Sequence, residues 1–189
     1  MSLNILFINE ELVKSRTAIS QGIDGKQIKP TIKLAQDKYI LPCLGTTLYN
    51  RLQQGVENGD LNQKEITLLD DYITDTLLWF TVGEMVIMFS YQFFIKGVLQ
   101  KGSEESTAPS KTQLEQLERK FISNGEFYKQ RLIDYLRENA EDFKQYLNYG
   151  SGFDVIPPQI QAYTSHIFLG RKGKNRVSNY DYPNKEQKL

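Results

Sequence analysis

Few side chains in this sequence are equipped for chemistry. Among 189 residues there is one histidine, His166, and one cysteine, Cys43. Ordinary zinc sites combine several His and Cys ligands, so that class of centre is excluded. His166 stands in "YTSHIFL" with no carboxylate or cysteine at helical or strand spacing. No G-x-S-x-G elbow presents a serine to it. Cys43 lies in the apolar run "YILPCLG", where a buried structural thiol is expected rather than a nucleophile. Paired carboxylates occur at Glu10/Glu11, Asp70/Asp71 and Glu104/Glu105. Adjacent residues on a helix point about 100° apart, so Asp70/Asp71 reads as a solvated face and not as an acid/base pair. "GSGFD" is not a dinucleotide fingerprint, and there is no P-loop. "GRKG" at 170–173 has the shape of a KH loop without the two helices that loop must join. These residues point to a protein that is not an enzyme and that carries no cofactor or metal.

The elements that would have to position any site are helical. Ile28, Ile32, Ala35 and Tyr39 recur at steps of four, three and four, which predicts one apolar helix face. Pro30 is expected near the start of that helix, and Pro42 with Gly45 at its end. Thr46 or Thr47 then caps a short helix carrying Leu48, Leu52 and Val56. Asn62 with Glu65 forms a capping box, opening a helix through Ile66, Leu69, Ile73, Leu77 and Phe80 to about Phe93. "FIKGVLQKGS" reads as an extended turn or hairpin arm, and 101–110 as a polar loop. Ser110 and Gln113 form a second capping box before a long helix ending near Tyr149. The opening "NILFI" suits either a strand or a turn of helix. The fold expected is all-α, a helical bundle over residues 1–150 with long central helices, followed by an extended C-terminal arm over 151–189.

The stretch 77–94, "LLWFTVGEMVIMFSYQFF", has a single formal charge, Glu84. A membrane span tolerates a central acid poorly, and this helix continues upstream into the acidic "NQKEITLLDDYITD". A core helix is therefore expected, with no membrane partner. Its aromatics Trp79, Phe80, Phe89, Tyr91, Phe93 and Phe94 exceed what one small bundle needs, so part of that surface is expected to meet another subunit. Lys and Arg number 23 against 23 Asp and Glu, which leaves no global field for nucleic acid. The start "MSLNILFINEELVKSR" lacks a basic region and a cleavage site, so a chain without a secretory leader is expected. Between 170 and 189 six basic residues face two acidic ones, a local net of +4. With Phe168, Tyr180 and Tyr182 interleaved, this tail reads as a segment that orders on a partner. A nucleic-acid-binding or assembly protein using the basic arm is the competing reading.

Three stretches resemble one family: "LFINEELVKSRTAI", "IKPTIKLAQDKYILPCLGTTLYNRL" and "GEFYKQRLIDYL". They are similar to small helical proteins of phages of Bacteroides-type hosts, the crAss-like phages among them, and through these to head-to-tail connector proteins of tailed phages. The resemblance covers residues 4 to 140. It implies a structural virion protein at the neck, made in the host cytoplasm, that forms a ring of copies of itself, roughly twelve-fold. Such a ring sits below the portal protein, extends the DNA channel without sequence-specific binding, and meets further neck or tail proteins. On that resemblance the arm docks on a partner through Ile167, Phe168, Arg171, Arg176, Tyr180 and Tyr182. The loop with Glu104 and Glu105 then faces the channel, where acidic groups repel phosphate.

Overall fold

A computed structural model describes the backbone of residues 4–94, 97–100, 110–150, 152 and 154–159, and the side chains of all of these except 91–94 and 97–100. The fold is an all-α bundle carrying one two-stranded hairpin. Helix α1 (Glu10–Arg16) begins at Asn9, whose side chain accepts from the Leu12 N–H at 2.8 Å. Acids fill its first turn and bases its last, which complements the helix dipole. Helix α2 (Gly25–Ala35) is capped by Asp24 and starts earlier than the apolar spacing suggests. Pro30 consequently sits in its second turn, and the carbonyl left without a helical donor belongs to exposed Lys26, where water reaches it.

Pro42 does not stop the chain. Helix α2 runs through a π-helical turn (Gln36–Ile40) into α3 (Leu41–Asn58), and Pro42 sits in the first turn of α3 directly after it. The break falls at Gly45, whose φ of 74° and ψ of 158° are non-helical. Thr46 and Thr47 therefore cap nothing. The Asn62/Glu65 capping box forms as expected and opens α4 (Gln63–Thr67), which passes through a second π-turn (Leu68–Ile73) into α5 (Thr74–Ser90). The run Gln63–Ser90 has the length and composition of a membrane span, yet 56% of its apolar window lies buried against protein.

Helix α5 ends at Ser90, three residues short of expectation. Tyr91–Phe94 (β1) pairs antiparallel with Gly97–Gln100 (β2), since aromatic residues favour the pleated state. The second capping box, Ser110/Gln113, opens α6 (Lys111–Glu138). That helix ends eleven residues before Tyr149; a 3₁₀ turn (Ala140–Asp142) and a short α7 (Lys144–Leu147) follow. Phe143 and Tyr146 from these turns still reach the core, so the apolar pattern continues past the end of α6.

The core is built where α5 crosses α6 and α2. Phe80 is fully buried and lies almost parallel to Tyr39, with ring centroids 3.8 Å apart. On its other side α6 presents Gly125, where an added Cβ would stand 2.7 Å from Phe80 Cδ1. Tyr72 stacks on Tyr135 at 4.1 Å and ties the second π-turn to α6.

Candidate interaction surfaces

Three surfaces stand out, and each is set by where the bundle leaves backbone or apolar groups uncovered. The first lies at the end of α5. A cavity of about 630 Å³ opens between the end of α1 and the loop that follows it (Ser15–Ile19), α5 and the start of α6. Its walls are apolar: Trp79, Val82, Val86 and Phe89 from α5 face Leu114, Leu117 and Phe121 from α6. Trp79 and Phe121 lie with ring centroids 6.0 Å apart.

With about 3.6 residues per turn, Val82, Val86 and Phe89 fall on the side of α5 roughly opposite Glu84 and Met88. That opposite side meets α2. Glu84 accepts from Lys38 Nζ and from Tyr39 Oη, both at 2.6 Å. Lys38 is held protonated well above the ordinary lysine range by these bonds, and the Tyr39 hydroxyl is pushed up by burial and by its bond to Glu84. Thr31 Oγ1 lies 3.5 Å from Met88 Sδ. Leu34 lies three residues on from Thr31 along α2, on the same side of that helix. Leu34, Ile87 and Met88 are 44%, 38% and 46% exposed. Among the described residues, the end of α5 thus has an open apolar groove on one side and exposed Ile87 and Met88 toward the other.

The second surface holds the N-terminal segment. Gln36 and Gln53 are fully buried. Gln36 donates through Nε2 to the Ile5 carbonyl at 2.9 Å and accepts from the Phe7 N–H at 2.8 Å, so one amide side chain pairs with the backbone as a neighbouring strand would. Gln53 donates to the same Ile5 carbonyl at 3.0 Å. Tyr49 Oη accepts from Gln36 and donates to Asp37 at 2.9 Å, while the Tyr49 ring meets Phe7 edge-on. Burial drives the Tyr49 hydroxyl well above its ordinary pKa. The irregular segment before α1 is therefore held to the bundle by side chains. Sequence reasoning missed Gln36, although its place on the Ile28–Ile32 stripe, four residues further on, was a signal: a polar residue on a core face is there to bond something.

The third surface is the break in α3. The Thr46 N–H donates to the Ile156 carbonyl at 3.0 Å, and Thr46 Oγ1 accepts from the Ile156 N–H at 2.8 Å. The Gln159 N–H donates to the Pro42 carbonyl at 2.7 Å, and Thr47 Oγ1 donates to the Tyr149 carbonyl at 2.7 Å. Pro158 is buried against Gly45.

The residues singled out in the sequence distribute unevenly over these surfaces. Trp79 and Phe89 line the groove, whereas Phe80 belongs to the core. Tyr91, Phe93 and Phe94 lie on β1, where only the backbone is described. Glu10 pairs with Lys29 at 3.1 Å, and backbone hydrogen bonding together with that pairing lowers its pKa; Asp70 and Asp71 are exposed on the second π-turn. Cys43 is fully buried, its thiol donating to the Tyr39 carbonyl at 3.0 Å, and burial pushes its pKa up to about 12. Among the described residues no three His, Cys, Asp or Glu side chains gather as a metal site would require. Glu104, Glu105, His166, Ile167, Phe168, Arg171, Arg176, Tyr180 and Tyr182 lie outside the described residues.

The fold and its surfaces define a small all-α bundle against which the segment before α1 and residues 155–159 are held by hydrogen bonds. The chain belongs to the family of unknown function DUF6712, whose profile matches residues 40–152, more than half of its length. That match runs from the end of the first π-turn through α7. No curated protein and no solved structure matches the chain.

Proposed function

We propose that this protein is a structural subunit of a phage virion: one copy in a ring below the portal protein that extends the DNA channel and joins the portal to further neck or tail proteins. DNA passes through without sequence-specific contact, and the place of action is the head-tail junction. The observation that carries the reading is that, among the described residues, the end of α5 is apolar and uncovered on two sides, Val86 with Phe89 on one and Ile87 with Met88 on the other. A two-fold dimer would use one patch twice. Two different patches on opposite sides of one helix favour head-to-tail contact, and repeated head-to-tail contact closes into a ring. The balance of 23 basic and 23 acidic residues suits such packing, because like subunits then repel one another little.

Single-side variants test this. Val86→Asp blocks the groove and Met88→Glu blocks the patch, each at a position only partly covered in the subunit. The wild-type chain is expected to form a large closed oligomer by native mass spectrometry. Each variant alone is expected to remain at the 21.9 kDa monomer mass with unchanged helical circular dichroism. An equimolar mixture of the two should give a heterodimer and stop there, because one intact groove still meets one intact patch. A wild-type chain that stays monomeric, or a variant that still assembles alone, contradicts head-to-tail association.

A further inference from the structure

The hydrogen bonds at the α3 break have a specific relation to one another. In an unbroken α-helix the N–H of residue 46 bonds the C=O of residue 42. Gly45, at φ 74°, takes the chain out of the helix between them. Both groups of that severed pair are bonded instead to one extended segment: the Thr46 N–H to the Ile156 carbonyl, and the Pro42 carbonyl to the Gln159 N–H. Thr46 Oγ1 takes the Ile156 N–H as well, so Ile156 is held from both sides of its backbone.

The two residues between Ile156 and Gln159 are Pro157 and Pro158, which have no N–H to leave unpaired. A residue before proline is biased to the extended state, so Ile156 is pre-set for this geometry. Pro158 rests where a side chain at position 45 would be: a Cβ there would meet Pro158 Cδ at 2.8 Å and its nitrogen at 3.0 Å. Glycine at 45 thus serves both the left-handed φ and the seat for the proline ring.

We infer that the break in α3 is a docking site for an extended, proline-bearing peptide, that Val155–Gln159 occupies it as a releasable strap, and that strap and straight helix are alternatives. They compete for the same N–H and the same carbonyl, so only one can be satisfied at a time. Release of the strap lets Thr46 bond Pro42 and straightens α3 at Gly45; docking bends it again. This inference stands independently of the ring reading.

Hydrogen exchange on the full chain, resolved to single amides, tests it with two variants. Gly45→Ala disfavours the left-handed φ and fills the proline seat from the helix side. Pro158→Ala empties the seat from the strap side and leaves α3 untouched. In both, protection of the Ile156 and Gln159 amides is expected to fall by at least about tenfold. The Thr46 amide is expected to keep its protection, because it changes partner from Ile156 to Pro42. Strap amides that stay protected in Gly45→Ala and in Pro158→Ala overturn the docking site. A Thr46 amide that loses protection together with the strap overturns the exchange of partners, since nothing would then have replaced the lost bond.

Discussion

Phe80→Ala is expected to remove about 3–5 kcal/mol of folding stability, the largest effect of any single truncation in this core. The ring is fully buried and stacked on Tyr39, and the Tyr39 hydroxyl is held by Glu84, so that neighbour is not free to fill the space. On the far side Gly125 brings the α6 backbone against the ring, and a helix backbone has no side chain to rotate inward there. The cavity should therefore persist, and the cavity contribution adds to the lost transfer free energy. Domains of this kind have total stabilities of about 5–15 kcal/mol, so the loss is a large share of the whole. Urea denaturation with the slope held common to both proteins measures it. Phe127→Ala, at a ring 62% exposed on the same helix as Gly125, is the comparison and should stay within about 0.5 kcal/mol. A Phe80→Ala loss no greater than that of Phe127→Ala would mean that α5 and α6 do not close on each other as described.

Glu65→Ala is expected to be the second costly change, at about 2–4 kcal/mol. Glu65 is only 5% exposed and performs two tasks. Its carboxylate accepts the Asn62 N–H at 2.9 Å, completing the capping box of α4. It also takes Arg51 in a two-pronged pair, Nε to Oε1 and Nη2 to Oε2, both at 3.0 Å. Arg51 extends the same fork to Asp60, at 2.8 Å to the side chain and 3.0 Å to the backbone carbonyl. One acid thereby ties α3, the turn at Gly59–Asp60 and the start of α4. Glu65→Gln separates the tasks, because glutamine closes a capping box nearly as well but carries no charge. The glutamine variant should lose about half as much as alanine. Equal losses in both would assign the effect to the ion pair alone; no loss in either would contradict the burial of this carboxylate.

What was legible in the sequence follows from where the signal resides. Both capping boxes, Asn62/Glu65 and Ser110/Gln113, combine a local spacing with a local bond, and both form. The stripe Ile28, Ile32, Ala35 marks a buried face because side-chain burial is what periodicity records. Helix ends were read less well. Pro42 and Gly45 together read as the end of the first helix; the chain stays helical through Pro42, and the break falls at Gly45. The continued apolar pattern at Phe143 and Tyr146 imitated a longer α6, since short turns present core residues at similar intervals. The strap left almost no trace. Its bonds are made by backbone groups, and a backbone group has no letter in the sequence; only Pro157 and Pro158 hinted at extended chain. The candidate docking surfaces were legible only as an excess of apolar and aromatic residues between 77 and 94. Which of them are core, like Phe80, and which line a groove, like Trp79 and Phe89, depends on the positions of α1 and α6.

The proposal that this chain is a ring subunit at the head-tail junction is tested most directly by quantitative mass spectrometry of purified virions that encode it, with the chain counted against the portal subunit. The account predicts that the chain is present at about one copy per portal subunit, as a ring matched to the portal would be. Its absence from mature particles would contradict the account and leave an assembly factor or a nucleic-acid binder as the alternative.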